Sequence, residues 1–272
     1  ARGGRAADLV AHLLGGVGQQ GVPAAELARQ QMCRPFLQQR PGHRFHLRQV
    51  GHQEVAAEFG KLLGIDPWWV DPLFRNCGQI NFQKREGQEC LEANVALLLE
   101  DIAAKYKEYG IQDQPFVIVK SEAGTYGMGV MTARSVEDVR NMNRKARTHM
   151  SSAKEGRDVT GAIIQEGVYT FETWGAENHT AEPVVYMIDR FVVGGFYRVN
   201  EKRGNQENLN SPGMSFKPLP FESCCSHPDR TLSPDAMPNR AYAYGVVARL
   251  ALLAAAREVA ASHRLVAASK AA

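Results

Sequence analysis

The stretch Lys120-Ser-Glu-Ala-Gly124-Thr125-Tyr126-Gly127-Met128-Gly129 sets three glycines within six positions, with a lysine at its start. Glycine lets backbone amides approach an anion closely, and consecutive N–H groups can converge on phosphate oxygens. No Gly-Lys-Ser/Thr ends the loop, so it is not a Walker P-loop. It is not a dinucleotide fingerprint either, because the chain re-enters a strand-like run, Val130-Met131-Thr132, where that motif needs a helix. A strand–glycine loop–strand unit with a basal lysine fits a third class, in which the loop folds over ATP as a flap. A glycine-rich hairpin with no ligand is the competing reading of the loop alone. Lys120 ends an apolar strand, where a charge is costly unless paired, and it is expected to reach the α- and β-phosphates.

Two further clusters follow. Gln165-Glu166-Gly167-Val168 reads as a strand exit whose backbone groups can meet an adenine edge while the Glu166 carboxylate holds ribose hydroxyls. In isolation it is an ordinary end of a strand. Beyond it come Asp189-Arg190, Gly194-Gly195, Arg198 and Glu207-Asn208-Leu209-Asn210. Asp189, Glu207, Asn208 and Asn210 offer only oxygen, which suits magnesium and disfavours zinc. Arg198 can stabilise charge on a transferring phosphoryl group.

These residues need elements to hold them. Glu54–Leu63 reads as a helix with Val55, Phe59, Leu62 and Leu63 on one face and Gly64 as its stop. Asp66-Pro67-Trp68-Trp69 and Asp71-Pro72 are turns. Leu91, Val95, Leu98, Ile102 and Tyr106 stand at three- and four-residue steps, predicting a helix over 86–109 that stops at Gly110. Phe116–Lys120 is a β-branched strand. Ser135, with Asp138 three residues on, predicts a capped helix running to about His149. Ile163–Glu166 is a strand. Val184–Ile188 and Phe191–Val193 form one extended stretch and Phe196–Val199 the next, with Gly194-Gly195 expected as the two-residue hairpin turn between them. Residues 201–240 read as loop, and Tyr242 to about Ser262 as helix. The class is α+β.

The order lysine, glycine loop, acidic strand exit, Asp/Arg hairpin, Glu/Asn resembles the ATP-grasp arrangement of carboxylate–amine ligases. It is most similar to bacterial glutamate–cysteine ligases of that type, through long uninterrupted motifs. These include Gly64-Ile-Asp-Pro-Trp, Asp71-Pro-Leu-Phe-Arg75, Lys84-Arg-Glu-Gly87 and Val119 to Val130. The likeness continues through Gln165 to Glu172, Ala181 to Arg190, Gly194 to Arg198, Glu207 to Met214 and Tyr242 to Leu250. It covers about Glu54 to Ala261. The resemblance implies an ATP-grasp-like fold with mixed or antiparallel sheets, flanking helices and a glycine-rich flap. It also implies ATP- and Mg2+-dependent joining of the glutamate γ-carboxylate to the cysteine amine, giving γ-glutamylcysteine, the first step toward glutathione. The alternatives are another acid–amine pair handled by the same chemistry, or a chain that binds nucleotide without turnover.

Composition narrows the remaining classes. The chain has 272 residues, 44% hydrophobic and 22% charged, close to a globular average. The net charge of +3 is uneven. Residues 1–50 hold seven Arg, one Asp and one Glu (+5), which leaves −2 for the rest. A nucleic-acid surface is therefore not expected of the bulk of the chain, and no apolar run of membrane-spanning length appears. Five cysteines without a C-x-x-C pair point to reduced thiols and a cytoplasmic setting; Cys224-Cys225 is the one adjacent pair. The expected organisation is an atypical basic segment, non-native or disordered, over 1–50. A helical part of the ligase region follows over 51–115, then a nucleotide-binding region over 116–262 and a tail over 263–272.

Overall fold

The structure is a computed structural model that describes residues 45–122, 128–151, 159–221, 231 and 239–271. The flap residues Gly124, Thr125, Tyr126 and Gly127, the Cys224-Cys225 pair and most of the 1–50 segment lie outside the described residues.

The elements are α1 (Phe45–Leu63), a 3₁₀ turn (Pro67–Trp69), β1 (Phe74–Gly78), α2 (Gln88–Glu108), β2 (Val117–Ser121), β3 (Val130–Ala133), α3 (Val136–Arg140) and α4 (Arg144–Met150). They continue with β4 (Gly161–Glu166), β5 (Thr173–Trp174), β6 (His179–Ile188), β7 (Phe191–Val199), β8 (Ser215–Pro218) and α5 (Arg240–Ala271). Two four-stranded sheets result, in the orders β1-β4-β2-β3 and β5-β6-β7-β8. Every strand pair is antiparallel.

The first sheet packs one face on α2. Leu91, Val95, Leu98, Ile102 and Tyr106, the five residues of the helical stripe, are all buried and meet Val117, Val119, Ala162 and Ile164. Gly110 closes the helix in the left-handed region, at φ 67°. In the second sheet, Ala181, Tyr197 and Val199 pack with Tyr244 of α5. α1 lies along α5 through Ala56, Phe59, Leu63, Val247 and Leu250.

Several expectations need correction. α1 begins at Phe45 rather than Glu54, and Leu62 is exposed while Ala56 completes the buried stripe. β1, whose Phe-Arg-Asn-Cys-Gly sequence has no alternating apolar pattern, was not foreseen. The helix from Ser135 has its full capping box with Asp138 but breaks after Arg140. Asn143 caps a new helix there by accepting from Ala146 N at 2.9 Å, a local bond that competes with helix continuation.

The β6–β7 turn is Asp189-Arg190, with Asp189 at φ 52°, and Gly194-Gly195 lies inside β7. At Gly195 glycine is needed for close approach. A Cβ on Gly195 would lie 2.5 Å from the Val184 carbonyl oxygen and 2.9 Å from Leu219 Cδ2. The 201–240 loop also contains β8, and the terminal helix extends to Ala271.

Candidate nucleotide site

β2 and β4 place their residues alternately on two faces, and this alternation sorts the predicted site. Val117 and Val119, with Ala162 and Ile164, point to the α2 side. Lys120 and Gln165 therefore share the other face. Lys120 Nζ donates to Gln165 Oε1 at 2.6 Å, and both side chains are buried. A buried ammonium requires such a partner, and the contact fixes its position beside the loop. At the loop's base, Ser121 N donates to the Gly129 carbonyl at 2.7 Å. Gly129 has φ +65°, and a Cβ on it would sit 2.0 Å from Ser121 Oγ. Glu122 N donates to the Gly161 carbonyl, and its carboxylate accepts from the Thr160 hydroxyl. The hinge of the glycine loop is thus pinned to β4.

Glu166 is placed differently from its expected ribose role. It projects to the α2 side and is fully buried, and its Oε2 accepts from Trp68 Nε1 at 3.1 Å and Leu73 N at 2.9 Å. Gly167 N continues the strand exit by donating to the Phe116 carbonyl, and a Cβ on Gly167 would overlap the Phe116 ring. Val168 beside it is buried.

Arg198 lies on β7 directly opposite Glu182 of β6, and Nη1 meets Glu182 Oε2 at 3.3 Å with both groups buried. Glu182 was not singled out in the sequence; the signal for it was its register with Arg198, which exists only once the hairpin turn is placed.

The oxygen set divides. Glu207 accepts from Gly204 N and Arg203 Nη1, each at 2.7 Å. The Gly204 amide and then the Arg203 guanidinium hold its carboxyl below the usual range. Asn208 Oδ1 accepts from Asn210 N at 2.9 Å, so these residues form one compact turn. Asn200, buried and also not anticipated, closes the loop by donating to Ser211 Oγ at 3.0 Å.

Asp189 does not join them. It sits at the far end of β7 from Arg198 and Asn200, roughly 25–30 Å away along extended chain. Among the described residues no group of three or more His, Cys, Asp or Glu side chains is arranged to hold a metal. Glu207, Asn208 and Asn210 still fit a hard cation by donor type, because they offer one ionised carboxylate and amide oxygens.

Two contacts carry this turn to the first sheet. Thr170 N donates to the Asn205 carbonyl at 3.0 Å, and Arg134 Nε donates to Gln206 Oε1 at 3.1 Å. Arg134 follows Ala133, which pairs with Val117, so about 10 Å of strand separates that anchor from the row of Lys120. The acidic turn and the lysine are therefore on neighbouring parts of one structure. Among the described residues no helix is long and apolar enough to cross a membrane.

Comparison with known proteins identifies the family. The family model for glutamate–cysteine ligase matches residues 40–259. A crystal structure of a protein from Methylobacillus flagellatus KT, assigned as a gamma-glutamylcysteine synthetase, superposes with a TM-score of 0.70 at 55% sequence identity. The match covers 79% of this chain and 50% of that one, so the chain spans about half the length of the solved relative. A search of the curated proteins gave no match. With most of its length matched by the family model, this chain belongs to the glutamate–cysteine ligase family.

Proposed function

We propose that the chain carries the nucleotide-handling part of an ATP- and magnesium-dependent ligase of ATP-grasp type that joins glutamate to cysteine. The observation that carries the reading is the buried Lys120–Gln165 contact at the hinge of a glycine loop, within a chain of this family.

The chemistry needs what these residues offer. A carboxylate is a poor electrophile. The glutamate γ-carboxylate oxygen attacks the terminal phosphorus of ATP, the bond to the bridging oxygen breaks, and ADP leaves. The product is an acyl phosphate. The cysteine amine then attacks the acyl carbon, phosphate departs with the bonding electrons, and the amine proton passes to phosphate or solvent. No covalent enzyme nucleophile is required. Catalysis is positioning, charge neutralisation and exclusion of water.

Lys120, oriented by Gln165, meets the phosphates. Arg198, held by Glu182, offsets charge on the phosphoryl group in flight. In this reading the loop 121–129, whose residues 123–127 lie outside the described ones, takes the part of a lid. The Gly167 carbonyl, at the β4 exit whose amide is bonded to Phe116, faces the adenine edge in this reading. Glu207, Asn208 and Asn210 would hold magnesium, which when bound neutralises phosphate charge.

The test is incubation of the purified chain with glutamate, cysteine and Mg-ATP, reading γ-glutamylcysteine by mass spectrometry and phosphate release. Product that depends on both amino acids supports the reading. Binding of Mg-ATP without product would reassign the chain as a nucleotide-binding protein.

A further inference from the structure

Glu172 lies outside the site just described and is nevertheless buried and heavily bonded. Its Oε1 accepts from the Tyr244 hydroxyl. Its Oε2 accepts from Arg240 Nη1 at 2.9 Å and from the Tyr197 hydroxyl at 3.4 Å. Its backbone carbonyl accepts from Ala181 N at 2.8 Å. Tyr197 and Ala181 are the immediate neighbours of Arg198 and Glu182, and strand alternation turns each neighbour to the opposite face. Glu172 thus grips β6 and β7 from the α5 side at the level where the Arg198–Glu182 pair projects from the other side. Two residues earlier, Thr170 N holds Asn205 in the loop that carries Glu207.

We propose that Glu172 is a positioning residue that sets Arg198 through the sheet, by fixing Tyr197 and Ala181 against α5. The inference rests on the reading of Arg198 given above and adds to it the element that determines where the guanidinium points. Three donors converge on one buried carboxylate, and two of them come from α5. Movements of that helix therefore reach Arg198 through Glu172 as well as through the direct packing of Tyr244 on Tyr197.

The experiment observes Arg198 itself. In the 15N-labelled full chain without nucleotide or amino acids, the Arg198 side-chain Nε–H signal is assigned by its loss in Arg198→Lys. Glu172→Gln keeps the volume but leaves one carbonyl oxygen, in place of two carboxylate oxygens, to accept from the three donors, beside an NH2 that cannot accept. Tyr197→Phe cuts only the link to β7. Both are expected to speed exchange of the Arg198 Nε–H by about tenfold or more. Val247→Ala, a buried change on α5 outside the network, is expected to lower stability and leave that signal alone. If Glu172→Gln does not fold, Tyr197→Phe carries the test. Unchanged Arg198 exchange in the folded variants, or an equal effect from Val247→Ala, overturns the proposal. Because no substrate is present, this outcome is independent of whether the chain ligates. In the ligase assay the two variants should lower kcat about tenfold with KM for glutamate little changed.

Discussion

Lys120 and Gln165 stand on adjacent antiparallel strands, on the face turned away from α2, with the lysine ammonium 2.6 Å from the glutamine oxygen. Gln165 thereby holds a buried cation at the hinge of the glycine loop before any anion arrives.

On the proposed reading of Lys120 as a phosphate contact, Lys120→Ala is expected to weaken Mg-ATP binding by about 1.5–3 kcal/mol. Calorimetric titration with a non-hydrolysable ATP analogue reads this directly. Affinity equal to that of the parent chain would remove Lys120 from the site.

Glu207→Ala combined with Asn210→Ala takes an ionised carboxylate and an amide oxygen from the turn at 204–210. The magnesium concentration giving half-maximal ligase rate should rise about tenfold or more. A superimposable magnesium titration would show that the ion is held elsewhere.

Arg198 and Glu182 are both buried, so removing one takes the opposite charge of this pair away from the other. Arg198→Met alone should cost about 3–5 kcal/mol in urea unfolding, and the double variant with Glu182→Met should recover much of that loss. Neither variant should retain ligase activity. A double variant no more stable than Arg198→Met would show that the two residues act independently in folding.

Asp66 caps the Pro67–Trp69 turn and accepts from Lys105 Nζ at 2.6 Å and the Tyr109 hydroxyl at 2.8 Å. Burial raises its pKa, but the bonds from Lys105, the Trp68 amide and Tyr109 outweigh that and leave it below the ordinary carboxylate range. A depressed folded-state pKa contributes stability that is present above the unfolded value and is lost as pH falls below it. Asp66→Asn keeps the cap oxygen and should flatten the decline in unfolding free energy below about pH 4. An unchanged acid limb in urea melts recorded across that range would disprove the assignment.

Cys77 on β1 is buried and Cys90 at the start of α2 is exposed. Burial, then the neighbouring Cys90 thiol, push the Cys77 thiol up to about 12. At pH 8 Cys77 therefore stays almost wholly in the unreactive thiol form. Brief iodoacetamide treatment followed by peptide mass spectrometry should therefore label Cys90 well before Cys77. Equal labelling would contradict the burial of β1 against α2.

Where local patterns carry the information, the sequence was sufficient. The stripe from Leu91 to Tyr106, the stop at Gly110 and the Ser135–Asp138 capping box depend on residues within a turn or two of each other. The candidate role of Lys120 and its loop rested on residue type and spacing. The candidate metal set rested on donor chemistry alone. Four oxygen-bearing residues in order along the chain do not reveal that a β-hairpin carries Asp189 to its own tip, far from Glu207.

Residue types and short-range spacing by themselves settled the α+β class, the main helices and most of the strands, because helix and strand periodicities are local properties of the chain. Tertiary structure alone decided which partner each buried charge received. Gln165 faces Lys120 whereas Glu166, one residue on, faces Trp68, and Glu182 and Glu172 hold Arg198 and Tyr197. A buried charge needs an opposite charge or hydrogen-bonding group within reach. Strand register and the placement of turns, rather than nearness in sequence, determine which one that is.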